Sequence, residues 1–180
     1  THSLDRVLWS QYVTGEYWDR HEVATRDRPE PPARLRPRIE KLRGTLVPPE
    51  GEAWRTVRDA ISDLPDPLSR EARLIPNHEF NPGARAYPGH TGSPLDEPAK
   101  TLKAGAHGVP GGENMLALPD GTVRYFTVRE SARLQMFPDA FYFPGSWTET
   151  MRQLGNAVPT ALGRAVLSSV AARLRSVVKD

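Results

Sequence analysis

Residues 124–159 read RYFTVRESARLQMFPDAFYFPGSWTETMRQLGNAVP, and the reading of the whole chain starts from them. Thr127-Val128-Arg129-Glu130 has the form of a capping box. A Thr hydroxyl accepts the amide three residues on, and the Glu at that position returns a bond to the Thr amide. The spacing predicts a helix from there through Ala132, Leu134 and Phe137. Pro138 stops it, because proline has no amide hydrogen and its ring clashes with the preceding turn. Gly155-Asn156 reads as a turn, and Pro159 suits the first turn of a closing helix, where a missing amide hydrogen costs nothing. That helix is predicted from about Pro159 to Val177, with Leu162, Ala165, Val166, Ser169, Val170, Leu174 and Val177 in one apolar stripe.

Upstream, Met115–Leu118 and Val123–Phe126 flank Pro119-Asp120-Gly121, the pattern of a β-hairpin. Residues 76–114 carry seven of the fourteen Gly and three of the five His. Short strands are predicted around Ala84–Tyr87 and Ala99–Lys103, with turns elsewhere. Thr56-Val57-Arg58-Asp59 is another capping box, and Val57, Ala60, Ile61 and Leu64 give its helix an apolar face. A short helix is predicted over Pro37–Arg43, ended by Gly44. Residues 22–36, rich in Arg, Pro and Glu, read as a solvated linker. Residues 4–21 read as helical, capped by Ser3, with Leu4, Val7, Leu8 and Tyr12 on one face and Gly15 as a point where the segment can split. No segment repeats.

With 180 residues, 38% of them hydrophobic, the chain can build one modest core. A net charge of +2 is too small to argue for a nucleic-acid partner. Yet twenty of the twenty-four basic residues are Arg, whose planar fork suits phosphates and guanine edges. A GC-rich coding sequence would give the same bias. The absence of Cys excludes a disulfide framework, a thiolate zinc site and a thiol nucleophile within these residues. No apolar run approaches the ~18 residues of a membrane span. The opening Thr1-His2-Ser3-Leu4-Asp5 has no signal-peptide core, and a first residue other than Met points to a processed chain or a fragment. The simplest location is the cytoplasm.

Residues 124–159 resemble the last two motifs of the bacterial DNA cytosine-C5 methyltransferases. The penultimate motif, T-x-R-E-x-A-R-x-Q-x-F-P-D, is matched by Thr127, Arg129, Glu130, Ala132, Arg133, Gln135, Phe137, Pro138 and Asp139. The final one, Q-x-G-N-x-V-P, is matched by Gln153, Gly155, Asn156, Val158 and Pro159. Residues 97–108, EPAKTLKAGAHG, are similar to the Thr-Leu strand and His-Gly turn of the family's target-recognition region, and residues 56–65 to the segment that enters it. The resemblance covers about residues 56–177. It implies an α+β fold: a small target-recognition domain of short strands and loops with flanking helices, and a C-terminal helix that normally packs on a Rossmann-like catalytic domain. The implied division is an N-terminal helical segment and linker over 1–55, the recognition domain with the penultimate motif over 56–150, and the final turn and helix over 151–180.

The resemblance further implies that Gly155, Asn156 and Ala157 contact S-adenosylmethionine. It places double-stranded DNA against Arg85, His90, Lys100, Thr101, Leu102, Lys103 and His107, with Thr101-Leu102 near the flipped base. Glycine-rich loops there let backbone approach bases and phosphates closely. The Arg129–Gln135 helix is implied to be scaffold, with no catalytic role for Glu130. The family's Gly-rich cofactor loop, Pro-Cys nucleophile, Glu-Asn-Val acid site and Arg-x-Arg strand have no match here. These residues alone are therefore expected to be inactive, and the catalytic groups to come from a longer chain or from a second subunit. The alternative is a stand-alone DNA-binding module derived from a methyltransferase. A third reading, a metal site from His78, His90 and His107, is weakened by the missing Cys and by spacings of twelve and seventeen residues.

Overall fold

A computed structural model describes residues 2–104 and 112–177, which divide into two units, Thr1–Arg55 and Thr56–Asp180. The chain is α+β, with helices and two short sheets.

In the first unit, strand β1 (His2–Ser3) leads directly into helix α1 (Leu4–Tyr12). The Ser3 hydroxyl accepts the Arg6 amide at 3.4 Å, the expected cap. Gly15 does split the segment. At φ 81° it precedes helix α2 (Glu16–Arg20), a left-handed conformation that glycine adopts without strain. Helix α3 runs Arg36–Arg43, one residue earlier than predicted. Leu8, Ile39 and Leu42 form the core, and strand β2 (Glu52–Ala53) pairs in parallel with β1. Trp18 is buried and its indole donates to Gln11 O at 2.6 Å. The 22–36 stretch is less loose than a linker. It contains two single turns of 3₁₀ helix, Thr25–Asp27 and Ala33–Leu35, and Arg28 folds back onto Val23 O.

In the second unit, helix α4 (Val57–Ile61) begins with a complete Thr56–Asp59 capping box. Strands β3 (Ser93–Pro94), β4 (Met115–Ala117) and β5 (Val123–Tyr125) form a sheet in that order, β3–β4 parallel and β4–β5 antiparallel. The hairpin forms as expected, with Met115 opposite Tyr125 and Gly121 at φ 85° in its turn. Helix α5 (Val128–Leu134) carries the predicted capping box. Helices α6 (Trp147–Asn156) and α7 (Thr160–Val177) follow. Val57, Ile61, Leu102, Leu116, Phe126, Val128, Ala132, Phe143, Met151 and Leu154 make one core, so α6 contributes to the same interior as α4, α5 and the sheet.

Two predicted strands are absent. Around Ala84–Tyr87 there is one isolated bridge, Tyr87 with His90, because Pro88 and Gly89 turn the chain back at once. Over Ala99–Lys103 side chains take the backbone bonds that a ladder would use. Lys100 N donates to Ser93 Oγ at 3.0 Å and Lys103 N to Asn114 Oδ1 at 3.2 Å. The turn predicted at Gly155-Asn156 is the last part of α6, with Ala157 as its C-terminal cap. Among the described residues no helix is long and apolar enough to cross a membrane.

Candidate DNA and cofactor interface

Helix α5 spends its charged side chains on holding loops in place. Arg129, 1% exposed, donates to Pro76 O at 3.1 Å and Phe141 O at 2.9 Å, and its amide donates to Asn77 O at 2.7 Å. Asn77 completes the clamp. It exchanges two bonds with the Phe143 backbone, at 2.8 and 2.9 Å, from a left-handed backbone conformation (φ 65°) that Asn tolerates. Glu130 takes a two-pronged ion pair from Arg124, at 2.6 and 2.7 Å, and also accepts the Thr127 amide. Arg133 grips Asp139 with two bonds and reaches Asp63 with a third. Its bonds hold the Asp139 carboxyl below the usual carboxylate range. Pro65 O can only accept, so His78 Nε2 is the donor at 2.8 Å. Its Nδ1 then accepts from Thr127 Oγ1 at 2.9 Å. Glu130 is thus buried scaffold.

Beside this frame lies a cluster of cationic and aromatic side chains. Tyr87 and His90 stack with ring centroids 4.3 Å apart across a turn at Gly89 (φ 83°). Gly92 (φ 76°) brings the loop onto β4; a side chain there would meet Ala117 N at 3.0 Å. Glu113 links two of these side chains, its Oε1 3.0 Å from Lys103 Nζ and its Oε2 3.6 Å from His90 Nδ1. Burial pushes the Glu113 carboxyl up. The Lys103 bond, helped by the Lys103 and His90 charges, outweighs this and holds it below its usual range. Lys100 Nζ donates to Thr91 Oγ1 at 3.2 Å.

The final motif meets this cluster from the other side. A Cβ on Gly155 would stand 2.8 Å from the Lys103 carbonyl carbon and 2.8 Å from Ala104 N, so the segment 101–104 crosses α6 only because that position has no side chain. Gln135 Nε2 donates to Leu154 O at 3.0 Å, and Thr160 bonds the backbone of Gln135 and Met136, tying the ends of α5, α6 and α7 together. Asn156 ends α6 exposed.

Of the residues singled out from the sequence, His90 and Lys103 meet at Glu113, and Lys100 is bonded to Thr91, the neighbour of His90. Thr101 is exposed, while Leu102 is buried in the core, so its side chain is not a surface contact. Arg85 is exposed in the loop before Tyr87. His107 lies outside the described residues. Both ring nitrogens of His78 are bonded to protein, and among the described residues no three His, Cys, Asp or Glu are placed to hold a metal. The reading by residue type passed over Asn77, Glu113 and Asn114. Their partners are far off or charge-paired, and only the ability of Asn to donate and accept marks two of them.

A family model for C-5 cytosine-specific DNA methylase matches residues 53–172. The chain is similar to the Type II methyltransferase M.AplI of Arthrospira platensis, 47% identical over 77 residues, which are 42% of this chain and 22% of that protein. It is similar to the Type II methyltransferase M.Eco47II of Escherichia coli, 34% identical over 139 residues, 75% of this chain and 29% of that protein. It also resembles the DNA (cytosine-5)-methyltransferase CMT2 of Arabidopsis thaliana, 46% identical over 57 residues, 32% of this chain and 4% of that protein. The matched stretches thus span less than a third of each relative. The family match takes in two thirds of the sequence, the capping box of α5 and the Gly155 crossing included, and the chain belongs to the C-5 cytosine-specific DNA methylase family.

Proposed function

We propose that these residues select the DNA sequence for a cytosine-C5 methyltransferase and supply one wall of its cofactor pocket. The observation that carries this reading is the crossing of Lys103–Ala104 over Gly155. Through it the segment that would face the duplex and the end of α6 that would face S-adenosylmethionine form one packed unit. Arg85, His90, Lys100, Thr101 and Lys103 would face the DNA, joined by His107 of the same motif, with the backbone at Leu102 beside them. Gly155, Asn156 and Ala157 would border the cofactor, which supplies the methyl group when bound. The thiol that attacks cytosine comes from outside these residues, since they contain no Cys. It belongs to a catalytic part on the same polypeptide or on a second one. The row Leu162, Val166, Leu167, Val170 and Leu174 on α7, each about half exposed or more, gives that part an apolar surface to dock on.

The test is affinity selection from a pool of duplexes randomised at their centre, using the 180-residue chain. Enrichment of one cytosine-containing sequence is expected, with binding that weakens steeply as salt is raised. Failure to retain any duplex at low salt would overturn the reading. Sequence-selective binding, with no methyl transfer even when a catalytic part is supplied, would favour a stand-alone DNA-binding module.

A further inference from the structure

We infer that Glu113 is a positioning residue that turns Lys103 from a general phosphate contact into a directed, sequence-selecting donor; the inference rests on the DNA-recognition reading above. Lys103 is held at both ends. Its backbone exchanges two bonds with the Asn114 side chain, N to Oδ1 at 3.2 Å and Nδ2 to O at 3.4 Å, and Asn114 is fully buried. On its other side the same backbone lies against Gly155. At the far end Nζ stands 3.0 Å from Glu113 Oε1. The Glu113 side chain is 19% exposed and that of Lys103 48%, so the carboxylate sits beneath and the ammonium faces outward. A free lysine head loses much rotamer freedom when it binds, and here that loss is taken in advance.

The pairing changes what the ammonium can do. Its charge is balanced by Glu113, so it gains little from the counterion release that drives phosphate binding. It keeps two further N–H donors, enough for the O6 and N7 acceptors of a guanine edge. Lys100 makes the contrast. Among the described residues its Nζ bonds a neutral hydroxyl, that of Thr91, and faces no carboxylate, so its charge is kept for phosphate. The two lysines, three residues apart, divide the work of specifying and positioning. The second carboxylate oxygen, Oε2, is buried without a hydrogen bond 3.6 Å from His90 Nδ1, so the same carboxylate reaches both Lys103 and the Tyr87–His90 stack.

The test compares the chain with Glu113→Gln, which keeps shape and removes charge, with Lys103→Met, and with the double variant. Affinities are measured by fluorescence anisotropy, over a range of salt, for the duplex selected by the unaltered chain and for the unselected pool. Glu113→Gln should bind the pool more tightly and steepen the salt dependence by about 0.9 in log–log slope, the gain of one phosphate contact. Its preference for the selected duplex should fall about tenfold. Lys103→Met should lose that preference with no change of slope on the pool, and adding Glu113→Gln to it should change nothing more. Unchanged slope and preference in Glu113→Gln would overturn the inference. So would an equal gain in the Lys103→Met background, which would mean that Glu113 acts by its own repulsion. A chain that binds DNA without sequence preference overturns this inference and leaves DNA binding standing; one that binds no duplex overturns both.

Discussion

Gly155 and Lys103 meet backbone to backbone, with no room for a methyl group between the last turn of α6 and the segment that carries the candidate DNA contacts. This contact reverses an ordinary expectation. A helical Gly→Ala change stabilises by about 1 kcal/mol. At Gly155 the added carbon would lie 2.8 Å from main-chain atoms, which cannot rotate aside. Gly155→Ala should therefore destabilise by about 1–2 kcal/mol in urea unfolding, the range typical of overpacking. A stabilised variant would show that the crossing is loose.

Removing the Glu130 carboxylate strips the Arg124 guanidinium, itself largely buried, of its counter-charge and two of its three bonds, leaving the one to Tyr125 O, and also unmakes the capping box. Glu130→Ala should cost about 3 kcal/mol or more, the scale for orphaning a buried charge. Glu130→Gln, which keeps an acceptor for the Thr127 amide, should cost less. Equal stability of Glu130→Ala and the unaltered chain in thermal unfolding would contradict the scaffold role of this side chain.

The bonds from Arg133 depress the Asp139 carboxyl below its ordinary 3.8. A group depressed in the folded state adds stability above its unfolded value and loses it as pH falls through the folded one. Stability supplied by Asp139 should thus be complete above pH 3.8 and decline below it. Asp139→Asn should lower stability at neutral pH and make the acid-induced decline shallower. The effect should be modest, because this side chain is 57% exposed and water screens the pair. Identical pH profiles for the two proteins, followed by circular dichroism, would remove the linkage.

Val166 and Leu174 are 53% and 61% exposed on α7. Val166→Glu and Leu174→Glu should each leave urea stability within about 0.5 kcal/mol, as surface changes do. Both should weaken association with a catalytic part, measured by co-sedimentation. A large stability loss would mean that this face is already covered by the chain itself.

The helix starts were legible because their chemistry is local. Thr56 with Asp59 and Thr127 with Glu130 each place both halves of a capping box within four residues. The hairpin was legible from Asp120-Gly121 for the same reason. Helix α6 was missed although Ser146 and Glu149 carry a similar signal; the Ser146 hydroxyl accepts the Glu149 amide at 3.3 Å. Over 99–103 the β-like pattern misled because the backbone bonds go to Ser93 and Asn114 side chains. Of the candidate site, the motif residues stood out by kind. Their arrangement did not, because it depends on distant pairs: Asn77 with Phe143, 66 residues apart, and Lys103 against Gly155.

Transfer of radiolabelled methyl from S-adenosylmethionine to duplex DNA, with the 180-residue chain alone and with a catalytic part added, tests the central claim most directly. The account predicts no incorporation by the chain alone and sequence-specific incorporation at cytosine once the catalytic part is present. Turnover by the chain alone, which has no Cys to attack the base, would contradict it.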